Sequence, residues 1–154
     1  ARAEGRTRNV EDACEDDRQR VATAYAAAGV AEAEVLGFCE DMIALLERVD
    51  LLLGRAGATT VAECCAAGLG ALYVPLPWAA DDHQTANARA VAAAGGAAVL
   101  PQQVLTASGL VRVLRRLVDR PAEVAQLGRR ALRLARPAAA DGVVDELLRV
   151  RRRA

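Results

Sequence analysis

The chain has 154 residues, with 20 basic side chains, all Arg, against 20 acidic ones and zero formal net charge. That length suits one domain with a real core, and the charge balance excludes an overall field drawing it to nucleic acid or an anionic membrane. The four cysteines, Cys14, Cys39, Cys64 and Cys65, form no CxxC pair, and adjacent ones do not readily share a disulfide or a tetrahedral metal site, which implies a reducing cytosol and no zinc.

The opening run Ala1-Arg2-Ala3-Glu4-Gly5 is polar and lacks Met, so no signal peptide is expected and the chain reads as a piece that starts inside a longer protein. From Val10 to Ala28, charges interleaved with Ala13, Val21 and Ala24 predict a solvated helix stopped by Gly29. Val35 to Phe38 reads as a short strand. Asp41 is placed to cap a helix running through Arg48, and Asp50 to Leu53 reads as a buried strand ending at Gly54. Thr59 to Ala67 fits a helix closed by Gly68, and Ala71 to Val74 a strand stopped by Pro75. Asp82 to Ala94 fits a helix closed by Gly95 and Gly96. Ala97 to Leu100 is a fourth strand. The uncharged run from Cys64 to Ala80 is broken by Gly68, Gly70, Pro75 and Pro77, which excludes a membrane-spanning helix.

After Pro101 the pattern is helical only: Ala107 to Val118, Pro121 to Leu134, and about Asp141 to Arg152. Strands alternating with helices through short turns predict an α/β, Rossmann-like parallel sheet with helices on both faces. With no linker, residues 1–154 are expected to form a single domain. Four strands would leave an edge uncovered, as in an incomplete sheet.

Ligands of open parallel sheets collect at the carboxyl ends of the strands, and three loops there carry candidate chemistry. Phe38-Cys39-Glu40-Asp41-Met42 offers backbone polar groups beside an aromatic ring, suited to a flat base edge, or is a plain strand-to-helix turn. In Gly54 to Glu63 the glycines allow close backbone approach and the helix start offers free N–H groups to a diphosphate. Glu63 lies one turn in, on the face of Thr59 and Thr60, where its oxygens suit two ribose hydroxyls. The alternative is a Thr60-x-x-Glu63 capping box. Asp81 to Asn87 clusters polar groups suited to sugar hydroxyls, or is an Asp81-x-x-Gln84 cap. His83 is the only His, so neither a His pair nor a metal cluster can be built from it.

In combination, Phe38-Cys39-Glu40-Asp41-Met42, Gly57-Ala58-Thr59-Thr60-Val61-Ala62-Glu63, Ala66-Ala67-Gly68-Leu69, Val74-Pro75 and Asp82-His83-Gln84-Thr85-Ala86-Asn87-Ala88 resemble the C-terminal domain of the MurG family. These are bacterial transferases with the two-domain GT-B fold that move N-acetylglucosamine from UDP to lipid-linked muramyl-pentapeptide in peptidoglycan synthesis. The resemblance implies that the Cys39 backbone binds the uracil edge with Phe38 and Met42 beside the base. Gly57 and Ala58 through Thr59, Thr60, Val61, Ala62 and Glu63 would hold diphosphate and ribose, with Glu63 on the ribose hydroxyls. His83 and Gln84 would contact the N-acetylglucosamine hydroxyls, supported by Asn87. No catalytic residue, metal or cofactor is implied for this stretch. Three departures stand out: Ala56 where the family usually has Ser, Gly70 where it has Pro, and no His-Gln-Thr/Ser run before Gly5.

The resemblance further implies a donor-holding half whose acceptor domain, and whose own first strand, lie outside this chain. A cytoplasmic position, peripheral on the inner membrane, and a lipid-linked acceptor follow from it. A stand-alone UDP-sugar-binding subunit with a separate partner chain, and a GT-B transferase with another acceptor, are the alternatives. The tail from Arg149 to Arg153 is basic, either touching anionic lipid or merely solvated. Val143, Leu147 and Val150 are expected to lack a partner surface and so to promote self-association.

Overall fold

The computed structural model describes residues 8–10, 15–78 and 82–151. Ala1 to Gly5, Cys14, Asp81, Arg152 and Arg153, on which parts of the sequence reading fall, lie outside the described residues. The chain divides after Val49 into two compact units.

In the first unit, β1 (Arg8–Val10), α1 (Glu15–Ala27), β2 (Glu34–Leu36) and α2 (Met42–Leu46) follow in order. β1 pairs in parallel with β2, Arg8 opposite Glu34 and Val10 opposite Leu36. Val10 therefore belongs to a strand, not to the helix expected there, because its ladder partner lies far along the chain and leaves no local periodicity. Gly29, at φ 72°, ends α1 as expected, its N–H bonding to Ala26 O at 3.0 Å. Glycine is the residue that takes this left-handed turn without strain. Asp41 caps α2, its carboxylate accepting from Ala44 N at 2.9 Å, and the helix buries Leu45 and Leu46.

The second unit runs β3 (Leu51–Gly54), α3 (Ala58–Ala67), β4 (Gly70–Tyr73), α4 (His83–Ala93), β5 (Ala97–Val99), α5 (Ala107–Val118), α6 (Pro121–Leu132) and α7 (Ala139–Arg151). Its strands form a parallel sheet in the order β3-β4-β5, Leu51 opposite Gly70 and Ala71 opposite Ala97. The fold is thus the expected α/β one with parallel, Rossmann-like strands. Sequential strand order with right-handed crossovers sets α3 and α4 on the same face of this sheet, where they contact each other.

β4 is the middle strand and all four of its residues are buried, which matches the uninterrupted apolar run of a strand covered on both faces. The core around it is built of small side chains, Ala56, Cys65, Ala71, Ala88, Ala97 and Ala131, with Tyr73 and Val91. Such a core requires close backbone approach, and α6 supplies it. A Cβ built on Gly128 would collide with the carbonyl oxygen of Gly68, and one on Gly70 would fall 2.6 Å from Leu127 Cβ. Gly70 thereby serves as a seat for α6.

α5 begins at Ala107 as expected and is capped by Thr106, whose hydroxyl accepts from Gly109 N at 3.1 Å, and α6 begins on Pro121, whose fixed φ suits a first helical position. α7 buries none of its residues, and Val143, Leu147 and Val150 are 61, 66 and 60% exposed. Among the described residues no helix is long and apolar enough to cross a membrane.

Candidate functional site

The carboxyl end of the β3-β4-β5 sheet opens onto two helix starts. α3 begins at Ala58, with Gly57 as N-cap in extended conformation and no side-chain cap. Val61 N bonds to Gly57 O at 2.9 Å, so the amides of Ala58, Thr59 and Thr60 precede the first intrahelical bond and are free to meet a ligand. Thr60 lies inside the helix rather than at its cap, which removes the capping-box alternative for Thr60 and Glu63. Glu63 is half-buried one turn in, on the face of Thr59 and Thr60.

α4 starts at His83, with Asp82 as N-cap at φ 52° and no side-chain cap bond. Gln84 does not cap the helix. Its Oε1 accepts from Leu76 N at 3.0 Å, leaving its Nε2 donors for another partner. Asn87 Nδ2 donates to Ala56 O at 3.1 Å, which ties α4 to the loop ahead of α3. Gly57 to Glu63, Gln84 and Asn87 are therefore brought to one end of one sheet, with the exposed His83 at the same helix start. Trp78, 82% exposed, sits on the segment between β4 and α4.

Phe38, Cys39 and Met42 belong to the first unit. Phe38 is 70% exposed just past β2, and Cys39 and Met42 are half-buried beside the Asp41 cap. The first unit also holds a cavity of about 530 Å³, lined by Arg18, Tyr25, Val30, Ala33 and Val35 among others, and no expected site residue borders it.

Arg55 was given no role by the sequence, since an arginine after a strand-ending glycine has no signature of its own. Its Nη1 donates to Val74 O at 2.9 Å, to Pro75 O at 3.4 Å and to Gln102 Oε1 at 2.7 Å. One guanidinium thus joins the segments that follow β3, β4 and β5.

Cys64 and Cys65 lie within α3 and are buried. Burial pushes the Cys64 thiol up to about 11, Tyr73 offsetting a part, and raises Cys65 likewise. Both stay protonated at neutral pH and offer no nucleophile. Among the described residues no group of His, Cys, Asp and Glu could hold a metal ion.

Residues 10–143 match the model of the glycosyltransferase family 28 C-terminal domain. The UDP-N-acetylglucosamine--N-acetylmuramyl-(pentapeptide) pyrophosphoryl-undecaprenol N-acetylglucosamine transferase of Azotobacter vinelandii is 48% identical over 134 residues, 87% of this chain and 37% of that protein. Its namesake from Hahella chejuensis is 45% identical over 139 residues, 90% of this chain and 38% of that protein. Among solved structures, Acinetobacter baumannii MurG superimposes with a TM-score of 0.84 at 34% identity, covering 92% of this chain and 43% of that one. The glycosyltransferase VinC, in complex with dTDP, follows at a TM-score of 0.61 and 25% identity, covering 85% of this chain and 33% of that one. The chain spans well under half the length of these relatives. With the family's domain matched from residue 10 to 143 on a parallel α/β fold, the chain belongs to the glycosyltransferase family 28 C-terminal domain family.

Proposed function

We propose that this chain is the donor-holding part of a hexosyltransferase that transfers N-acetylglucosamine from UDP-N-acetylglucosamine to lipid-linked muramyl-pentapeptide. The observation that carries the reading is the start of α3, where three free amides follow Gly57 and Glu63 lies one turn in. A helix start of this kind favours an anion through aligned N–H groups and the positive end of the dipole. The diphosphate binds at Ala58, Thr59 and Thr60, with Gly57 allowing the approach and Val61 and Ala62 continuing the wall. Glu63 accepts from the ribose hydroxyls. His83 and Gln84 read the sugar hydroxyls, Asn87 supports them, and the Cys39 backbone with Phe38 and Met42 holds the uracil.

These are binding roles, and none of them transfers a proton. The chain acts as a single nucleotide-sugar-binding domain that needs no metal or cofactor, and another domain supplies the acceptor surface. The intact protein works on the cytoplasmic face of the membrane without spanning it. The apolar stripe of α7 with Arg149 and Arg151 suits such a peripheral contact.

Isothermal titration with UDP-N-acetylglucosamine, alongside UDP-glucose, dTDP and ATP, tests the reading. Selective, stoichiometric binding of UDP-N-acetylglucosamine is expected. A folded chain, judged by circular dichroism, that bound none of the four or did not distinguish them would overturn it.

A further inference from the structure

We infer that Arg55 is a positioning residue for the sugar end of the donor site, acting on Gln84 through the one peptide group between Pro75 and Leu76. The inference rests on the donor reading above and adds to it a residue with no contact to the donor.

That peptide group is held at both ends. Its carbonyl, Pro75 O, accepts from Arg55 Nη1 at 3.4 Å, and the preceding carbonyl, Val74 O, accepts from the same nitrogen at 2.9 Å. Its N–H, on Leu76, donates to Gln84 Oε1 at 3.0 Å. A peptide group is a rigid plane, and Pro75 restricts the φ ahead of it, so fixing the carbonyl side fixes the direction of the N–H. Leu76 N is a donor, so the Gln84 atom facing it must be the oxygen. The amide orientation is thereby set, and both Nε2 hydrogens are turned away from Leu76 to meet an acceptor such as a sugar hydroxyl.

Arg55 is anchored in turn by Gln102 Oε1 at 2.7 Å, which ties the arrangement to the segment after β5. Among the described residues Arg55 bonds to neutral acceptors only, so no carboxylate there consumes its charge. All three contacts leave from one nitrogen. A lysine ammonium, with three donors on one atom, can restore them, whereas alanine cannot.

The experiment uses the full chain and its Arg55→Ala, Arg55→Lys, Gln84→Ala and Arg55→Ala/Gln84→Ala variants, with two readouts. The first is Leu76 amide exchange by NMR without ligand, expected to speed up roughly tenfold in Arg55→Ala as its hydrogen bond weakens, and to recover in Arg55→Lys. The second is titration with UDP and with UDP-N-acetylglucosamine. Arg55→Ala should weaken the sugar nucleotide roughly tenfold and UDP by less than about twofold, and should add nothing in the Gln84→Ala background.

Unchanged Leu76 exchange in Arg55→Ala would overturn the inference, as would equal losses for both ligands or losses that add to those of Gln84→Ala. Should Arg55→Ala fail to fold, Gln102→Ala weakens the same anchor and is read in the same two ways. A wild-type chain that binds no UDP-N-acetylglucosamine, while Arg55→Ala still speeds Leu76 exchange, would overturn the donor reading alone and leave the Arg55–Gln84 coupling standing.

Discussion

Asn87 Nδ2 donates to the carbonyl of Ala56 across 3.1 Å, so the second turn of α4 holds the loop that sets the start of α3. Ala56 is fully buried, and its carbonyl would otherwise have to find another donor. Asn87→Ala should lower stability by about 1–2 kcal/mol, and Asn87→Asp by more, because it sets a carboxylate against a carbonyl. Urea unfolding with an unchanged m-value checks both. An unperturbed midpoint in Asn87→Asp would mean that the bond is not made in solution.

On the proposed donor reading, Glu63 and His83 separate nucleotide from sugar recognition. Glu63→Ala should weaken UDP by roughly ten- to hundredfold, the loss of a charged acceptor to the ribose. His83→Ala should spare UDP and weaken only the sugar nucleotide. Titration of both ligands against both variants gives four affinities, and a UDP affinity untouched by Glu63→Ala removes that residue from the site.

The contact of α6 with the sheet is set by absent side chains. Gly128→Ala forces a Cβ into the Gly68 carbonyl, backbone against backbone, and is expected to cost about 1–3 kcal/mol or more by overpacking. Ala for Gly would ordinarily favour a helix by about 1 kcal/mol, so the sign of the thermal shift tells the two effects apart. A raised melting temperature would show that α6 is not seated so closely.

Much of this architecture was legible because its signals are local. Gly29 and Gly68 end helices at positive φ, Pro121 opens one, and α5 has the expected bounds. What escaped is long-range. β1 is defined only by its pairing with β2, and Arg55 by acceptors 19 and 47 residues away. The Thr60-x-x-Glu63 spacing also fitted a capping box, which only the finding of Gly57 as the N-cap removes. Gln84, likewise, turned out to grip Leu76 rather than cap α4.

Alkaline pH should weaken the fold through α3 and β4. The Cys64 thiol, ordinarily at 9.0, is held up to about 11 by burial. Between these values the unfolded chain has lost a proton that the native chain keeps, so stability is complete below pH 9 and falls as pH rises toward 11. The loss is on the order of 2–3 kcal/mol. Tyr73, raised above its ordinary 10.0 by burial and then by the neighbouring Cys64, adds a fall of the same sign at higher pH. Urea melts from pH 8 upward should show this slope, flattened in Cys64→Ala. The buried Tyr73 hydroxyl has only the weakly bonding Cys64 thiol beside it and makes no geometrically formed hydrogen bond among the described residues, so Tyr73→Phe should be neutral or stabilising at pH 7.

The single tryptophan of the chain stands 82% exposed two residues beyond Leu76. Its indole will fluoresce as one in water does, nearly silent about the core and a poor witness to unfolding. The same isolation makes it a built-in optical probe of the strand-end segment, so a blue shift or quench on adding a sugar nucleotide would report local ordering at the site without any label.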